Sequence, residues 1–243
     1  MLGSFWGEAM ILGLLAALLA GAMIPLGAYL ASIEHIRPVR LRREVRHGVM
    51  AFAGGALISA VALVLVPEGT ERLPTVAALL SFAVGGVLFA AIDAAIARSG
   101  ESRGQLVAML ADFLPEAVAL GALLATGSEG ALLMAAIIGL QNLPEGYNAY
   151  HEVAPKSPVD RRRLLIGYSG IACLGLLAAL LGVTVFAASA MALGVLMMVA
   201  AGGILYLVFQ DVAPKVAMEN SWAPPLGAVL GFGLGLLGHL LVA

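Results

Sequence analysis

The chain has 243 residues, 61% of them hydrophobic and only 12% charged, with a formal net charge of −2. A soluble domain carries about twice that charged fraction, and a mean hydropathy of +1.01 excludes an ordinary water-soluble fold. The single cysteine, Cys173, excludes an internal disulfide.

Eight apolar segments follow one another near 7–33, 48–66, 74–97, 105–126, 130–150, 162–187, 190–213 and 223–243. Each has roughly the 17–25 residues that a tilted membrane helix needs. The stretch before the first one, Met1 to Glu8, lacks the basic start of a signal peptide, so segment 1 reads as a retained helix. The weakest break is Ala187 to Ala190, where two helices are inferred from length alone. The chain reads as an all-α membrane protein, one transmembrane domain over 1–243.

The basic residues test this layout. Arg37, Arg40, Arg42, Arg43 and Arg46 follow segment 1. Arg98 and Arg103 follow segment 3, Lys156 and Arg161 to Arg163 follow segment 5, and Lys215 follows segment 7. Of all the basic residues only Arg72 falls on the opposite side. The positive-inside rule then makes the odd-numbered loops cytoplasmic and leaves both termini outside. The expected location is a cell membrane, inner or plasma.

Segment 2 contains Ala53-Gly-Gly-Ala-Leu57 and ends at Val66-Pro67-Glu68. Segment 7 contains Ala201-Gly-Gly-Ile-Leu205 and ends at Ala213-Pro214-Lys215. The two segments run in opposite directions, the mark of inverted repeats in transporters. Small-residue runs at helix contacts are the plainer explanation. The repeat reading makes segments 1–3 and 6–8 inverted copies around segments 4 and 5, a 3+2+3 arrangement.

Segments 4 and 5 carry the most informative residues. Asp112-Phe-Leu-Pro115-Glu116 and Gln141-Asn142-Leu-Pro144-Glu145 spell nearly the same thing. Glu116 and Gln141 each lie 11 residues into their segment, about 16 Å deep at the α-helical rise and near the bilayer centre. A carboxylate there costs about 2.5 kcal/mol on insertion scales, so buried acids at this depth point to a cation site. Asp112 and Glu116 are spaced i,i+4, as are Gln141 and Glu145, which puts each pair on one helix face. Pro115 frees the carbonyl of Ala111 and Pro144 that of Leu140, and each needs a partner in the membrane.

Around these residues the chain resembles the ZIP (Zrt/Irt-like) family of divalent-metal transporters, as a divergent, bacterial-type member. The family has eight helices and a two-metal centre on helices 4 and 5, with His-Asn-x-Pro-Glu-Gly on helix 4. Ser169-Gly-Ile-Ala-Cys173-Leu-Gly is similar to its helix 6 pattern, and Val208-Phe-Gln-Asp211-Val-Ala-Pro214 to the end of its helix 7. The resemblance implies metal ligands at Asp112, Glu116, Gln141, Asn142, Glu145 and Cys173, and a homodimer. It departs where Phe113 stands for the family's Asn and Cys173 for a bridging Glu. One metal rather than two is expected, because Phe113 cannot ligate. The first-site residues Asp112, Glu116, Gln141 and Glu145 offer only oxygen, which favours a hard cation such as Mn²⁺, whereas the family favours Zn²⁺ or Fe²⁺; Cys173 either adds a softer ligand or packs as a small buried hydrophobe.

The expected function is inward transport of a divalent metal ion, with the ion as cargo and no resident cofactor. The alternative is a non-transporting relative that senses metal or acts as a scaffold. No His-Glu-x-x-His or Gly-x-Ser-x-Gly is present, so an enzyme is not expected. Nor is nucleic acid. Asp93 and Asp211 either line an exit route or hydrogen-bond a neighbouring helix. His151-Glu152 either receives an exiting ion or forms an ordinary loop pair. Ser59 reads as a pore-lining hydroxyl.

Overall fold

The computed structural model describes residues 2–36, 38–99, 104–128, 130–156, 160–219 and 221–242. Side chains are described from residue 11 onward, except at 12, 99, 104–108, 112, 156 and 242. Arg37, Arg103 and the side chains of Asp112 and Lys156 therefore lie outside the described residues.

Among the described residues there is no strand. The helices are α1 (Leu2–Ile33), α2 (Val39–Arg72), α3 (Thr75–Ser99), α4 (Gly104–Thr126), α5 (Gly130–Val153), α6 (Arg161–Thr184), α7 (Ala190–Val216) and α8 (Ala223–Val242). All but α5 are long and apolar enough to cross a membrane. α5 has 24 residues, and its apolar run is broken by Gln141, Asn142, Glu145 and Asn148.

α2 begins nine residues before the expected 48, at Val39. Hydropathy sees only the apolar part of a helix, and arginine is a good helix former, so the basic stretch continues the helix beyond the apolar run. The weak break before α7 is a 3₁₀ turn, Phe186–Ala188, followed by Ser189. The Ser189 hydroxyl accepts from the Ala192 N–H at 3.2 Å and caps α7.

α2 and α7 share an irregularity. Each contains a five-residue π turn, Val61–Leu65 and Val208–Val212, just before a proline. Pro67 and Pro214 have no N–H to give, and each ring crowds the carbonyl four residues back, at Leu63 and Gln210. A π bulge relieves that conflict by re-pairing the backbone.

Four helix pairs pack closely through glycine, and each contact is reciprocal. A methyl on Gly27 of α1 would overlap the Leu143 carbonyl of α5, and one on Gly146 would overlap the Ile24 carbonyl. Gly121 and Gly182 do the same between α4 and α6, against Ala179 and Val118. Gly55 and Gly231 join α2 to α8, against Ala228 and Phe52. Gly85 and Gly202 join α3 to α7, against Val199 and Phe82. Apolar packing drives no association in lipid, so close backbone approach between small residues must hold helices together. Beyond these crossings the contacts advance along both helices together, from Ala20–Gly139 to Glu34–His151, Phe113–Gly175 to Gly121–Ala179, Gly48–Ala223 to Ser59–Gly235 and Gly85–Val199 to Asp93–Tyr206, which makes the partners parallel. α2 and α7 run antiparallel, since Gly54 meets Val212 and Gly69 meets Met198.

The densest core lies among α2, α4, α5 and α7. Leu65, Leu120, Leu123, Met134, Ile137, Ile138, Leu193, Met197 and Ile204 are all fully buried there. α3, α6 and α8 expose most of their length.

Candidate metal-binding site

Glu116 of α4 is 0% exposed, and Gln141 of α5 is 1% exposed. The Gln141 side-chain N–H donates to a Glu116 carboxyl oxygen, Nε2 to Oε2. The two Leu-Pro-Glu motifs therefore meet across the α4–α5 interface. The Gln141 Oε1 atom is buried and has no hydrogen-bond partner among the described residues. A buried acceptor without a partner costs about 1–3 kcal/mol, so this oxygen is suited to receive a cation or a water.

Glu145 lies one helical turn beyond Gln141. It lines a small cavity of about 40 Å³ with Asn148, Asp211 and Lys215. That volume holds a bare ion or a water or two. The cavity shares Met50, Asn148 and Lys215 with a larger one of about 390 Å³, which Arg42, Arg43, Arg46, His47 and Glu152 also line. Polar residues 141, 145, 148 and 152 thus mark one stripe of α5, leading from the buried Glu116 to the arginine-rich end. Asn148 is 4% exposed, and its Oδ1 has no hydrogen-bond partner among the described residues. Its spacing of three and four from Glu145 and Glu152 is the signal that finds it, and the motif comparison passes over it.

The remaining expected ligands separate. The Asn142 side chain donates to the Ala20 carbonyl of α1 at 2.9 Å, so it ties α5 to α1. Phe113 is buried, and its ring fills the space beside Gly21 and Gly175, between α4, α1 and α6. Cys173 is exposed on α6, whereas Ala172 and Gly175 face inward. The structure does not bring Cys173 to Glu116. The Asp112 side chain lies outside the described residues. Among the described residues no three His, Cys, Asp or Glu side chains come together.

The acids and hydroxyls that sequence leaves open are also placed. The Tyr206 hydroxyl donates to Asp93 at 3.1 Å, so Asp93 serves the α3–α7 contact. Asp211 lines the small cavity and pairs with Lys215 at 3.0 Å. His151 and Glu152 part company. His151 lies 2.8 Å from Glu34 at the end of α1, and Tyr147 donates to the same carboxylate, while Glu152 faces the large cavity. Ser59 is fully buried and lines neither of these cavities. Its hydroxyl donates to the Ala56 carbonyl at 2.7 Å and packs against Gly235 of α8.

No protein-family model matches this chain, and no curated protein matches it.

Proposed function

We propose that the chain is a secondary transporter that carries a divalent metal ion across the membrane toward its arginine-rich side. The observation that carries this reading is the polar stripe of α5. It begins at the Glu116–Gln141 pair in the buried core and continues through Glu145 and Asn148 into cavities that lead to the arginine-rich end. Glu116, Gln141 and Glu145 would hold the ion, with Asp112 on the same face of α4, and Asn148 and Asp211 would receive it on release. Ligands of this kind bind metal only when deprotonated, so uptake falls as pH falls.

The glycine-joined pairs fit the 3+2+3 arrangement. Exchanging α1–α3 with α6–α8, and α4 with α5, turns the pair α1–α5 into α6–α4 and the pair α2–α8 into α7–α3. The π turns of α2 and α7 are exchanged in the same way. The pairs also fall into two groups, α1, α4, α5, α6 and α2, α3, α7, α8, and alternating access would move one against the other. This arrangement supports the likeness to ZIP transporters.

The test is metal flux into proteoliposomes, with Mn²⁺, Fe²⁺, Zn²⁺, Cd²⁺ and Co²⁺ offered in turn. Flux of at least one ion is expected, and Glu116→Ala/Glu145→Ala abolishes it. One observation favours a second reading, a metal-sensing relative that does not transport. Among the described residues the acids do not cluster in threes, and Phe113 fills space between helices. Absence of flux for every ion from well-folded protein would decide for that reading.

A further inference from the structure

The 390 Å³ cavity at the arginine-rich end presents a charge problem. Arg42, Arg43, Arg46 and Lys215 line it together with His47 and Glu152. Lys215 is paired with Asp211, but Arg42, Arg43 and Arg46 form no ion pair among the described residues. The buried Nε of Arg46 and the buried Nδ1 of His47 have no hydrogen-bond partner among the described residues. Burying the Arg46 donor costs free energy unless something accepts from it, and the His47 nitrogen, donor or acceptor according to its tautomer, also needs a partner.

The cavity also takes in the start of α2. Val39, the first residue of that helix, lines it. The residue before it is Pro38, and no side chain caps the helix. The Arg42 N–H bonds back to the Pro38 carbonyl at 3.0 Å, so the three N–H groups ahead of it lack an intrahelical acceptor. An uncapped helix start, guanidinium forks and an unpaired ring nitrogen together suit a compact multivalent oxyanion. The volume is many times the roughly 30 Å³ share of one water, so a phosphoryl group fits with part of its hydration.

We propose that this cavity is a binding site for a phosphoryl anion, either inorganic phosphate or the phosphate of an anionic lipid. Arg43 and Arg46 grip its oxygens, and Lys215 completes the wall. The site has a consequence that rests on the transport reading. The cavity joins the Glu145 cavity through Met50, Asn148 and Lys215. An arginine-lined mouth repels a departing cation, and an anion seated there offsets part of that positive potential. The bound phosphoryl group would therefore ease release of the ion.

The binding experiment is independent of transport. Protein in phosphatidylcholine nanodiscs, at low salt and without divalent metal, is titrated with radiolabelled orthophosphate. Native mass spectrometry of detergent-purified protein then compares retained phosphatidylglycerol with phosphatidylcholine. Saturable phosphate binding, weakened at least about tenfold in Arg43→Gln/Arg46→Gln and largely kept in Arg43→Lys/Arg46→Lys, supports the site with free phosphate as ligand. Retention of phosphatidylglycerol that the Gln variant loses supports it with lipid as the source. If the double variant fails to fold, Lys215→Gln takes its place. Wild-type protein that melts cooperatively yet binds neither phosphate nor phosphatidylglycerol better than the Gln variant overturns the proposal. Binding that is equal in wild type and variants overturns it too.

Discussion

The two halves of the α4–α5 interface are built oppositely. On one side of the Glu116–Gln141 pair, polar groups and cavities lead past Glu145 and Asn148 to the arginines of α2. On the other side, Leu120, Leu123, Met134, Ile137 and Ile138 fill the interface with buried apolar bulk, joined by Leu65 and Met197. That far end finishes in a compact polar cluster. Arg72 lies 2.5 Å from the Glu68 carboxylate, and Ser128 donates to the same group at 2.6 Å. The contrast shows a molecule open to the arginine-rich side and packed shut toward Arg72. The proposed carrier, working by alternating access, would need such an asymmetry and a second state that opens what is packed here.

The sharpest way to break this comparison is chemical access. In a Cys173→Ser background, Asn148→Cys reacts with a membrane-impermeant thiol reagent added on the arginine-rich side. Ile138→Cys, in the apolar half, reacts at least about a hundredfold more slowly, the factor set by a local opening cost of some 3 kcal/mol. Equal labelling rates would remove the asymmetry.

A smaller effect tests what holds the open half in place. Gly146 approaches the Ile24 backbone so closely that a methyl has no room. Gly146→Ala should lower stability by about 1–3 kcal/mol, as overpacking does, read by thermal denaturation in detergent. Gly167 has open space around it, so Gly167→Ala should not destabilise. Replacing Glu116 by Leu leaves the Gln141 amide without its acceptor and should cost about 1–3 kcal/mol. Glu116→Gln, which keeps an acceptor, should cost less.

The smallest effect expected belongs to the α3–α7 contact. The Tyr206–Asp93 hydrogen bond joins α3 and α7, and neither residue lines the two cavities beside Glu145. Interhelical bonds of this kind average about 0.6 kcal/mol in double-mutant cycles. A cycle of Tyr206→Phe and Asp93→Asn should give a coupling of that size and leave metal uptake unchanged. A large loss of uptake would place Asp93 on the route after all.

The sites were partly legible before any fold was known. The i,i+4 spacing of Gln141 and Glu145 put both on one face of α5, and the matching depth of Glu116 brought the two motifs together. Asn148 continues that stripe but lies outside both motifs, so a reading of the motifs passes over it. The positions of Cys173, Ser59 and Asp93 were not legible, because each depends on how its helix is rotated against helices distant in sequence. A segment apolar all round carries almost no signal for that rotation. Only the neighbours reveal that Cys173 turns outward, that Ser59 meets Gly235, and that Asp93 meets Tyr206.

Apolar runs and basic residues along the chain are enough to establish that it is built of long apolar helices, where most of them end and where the basic charge gathers. They are enough because a bilayer leaves a spanning segment no alternative to pairing its backbone within itself, and that constraint acts locally. Tertiary structure alone decided which helices pair and which polar groups share a cavity. Helix pairing turns on a few glycines meeting a partner's carbonyl, and many of the chain's 30 glycines look alike in sequence. Which of them face a partner backbone is settled only when all the helices pack at once.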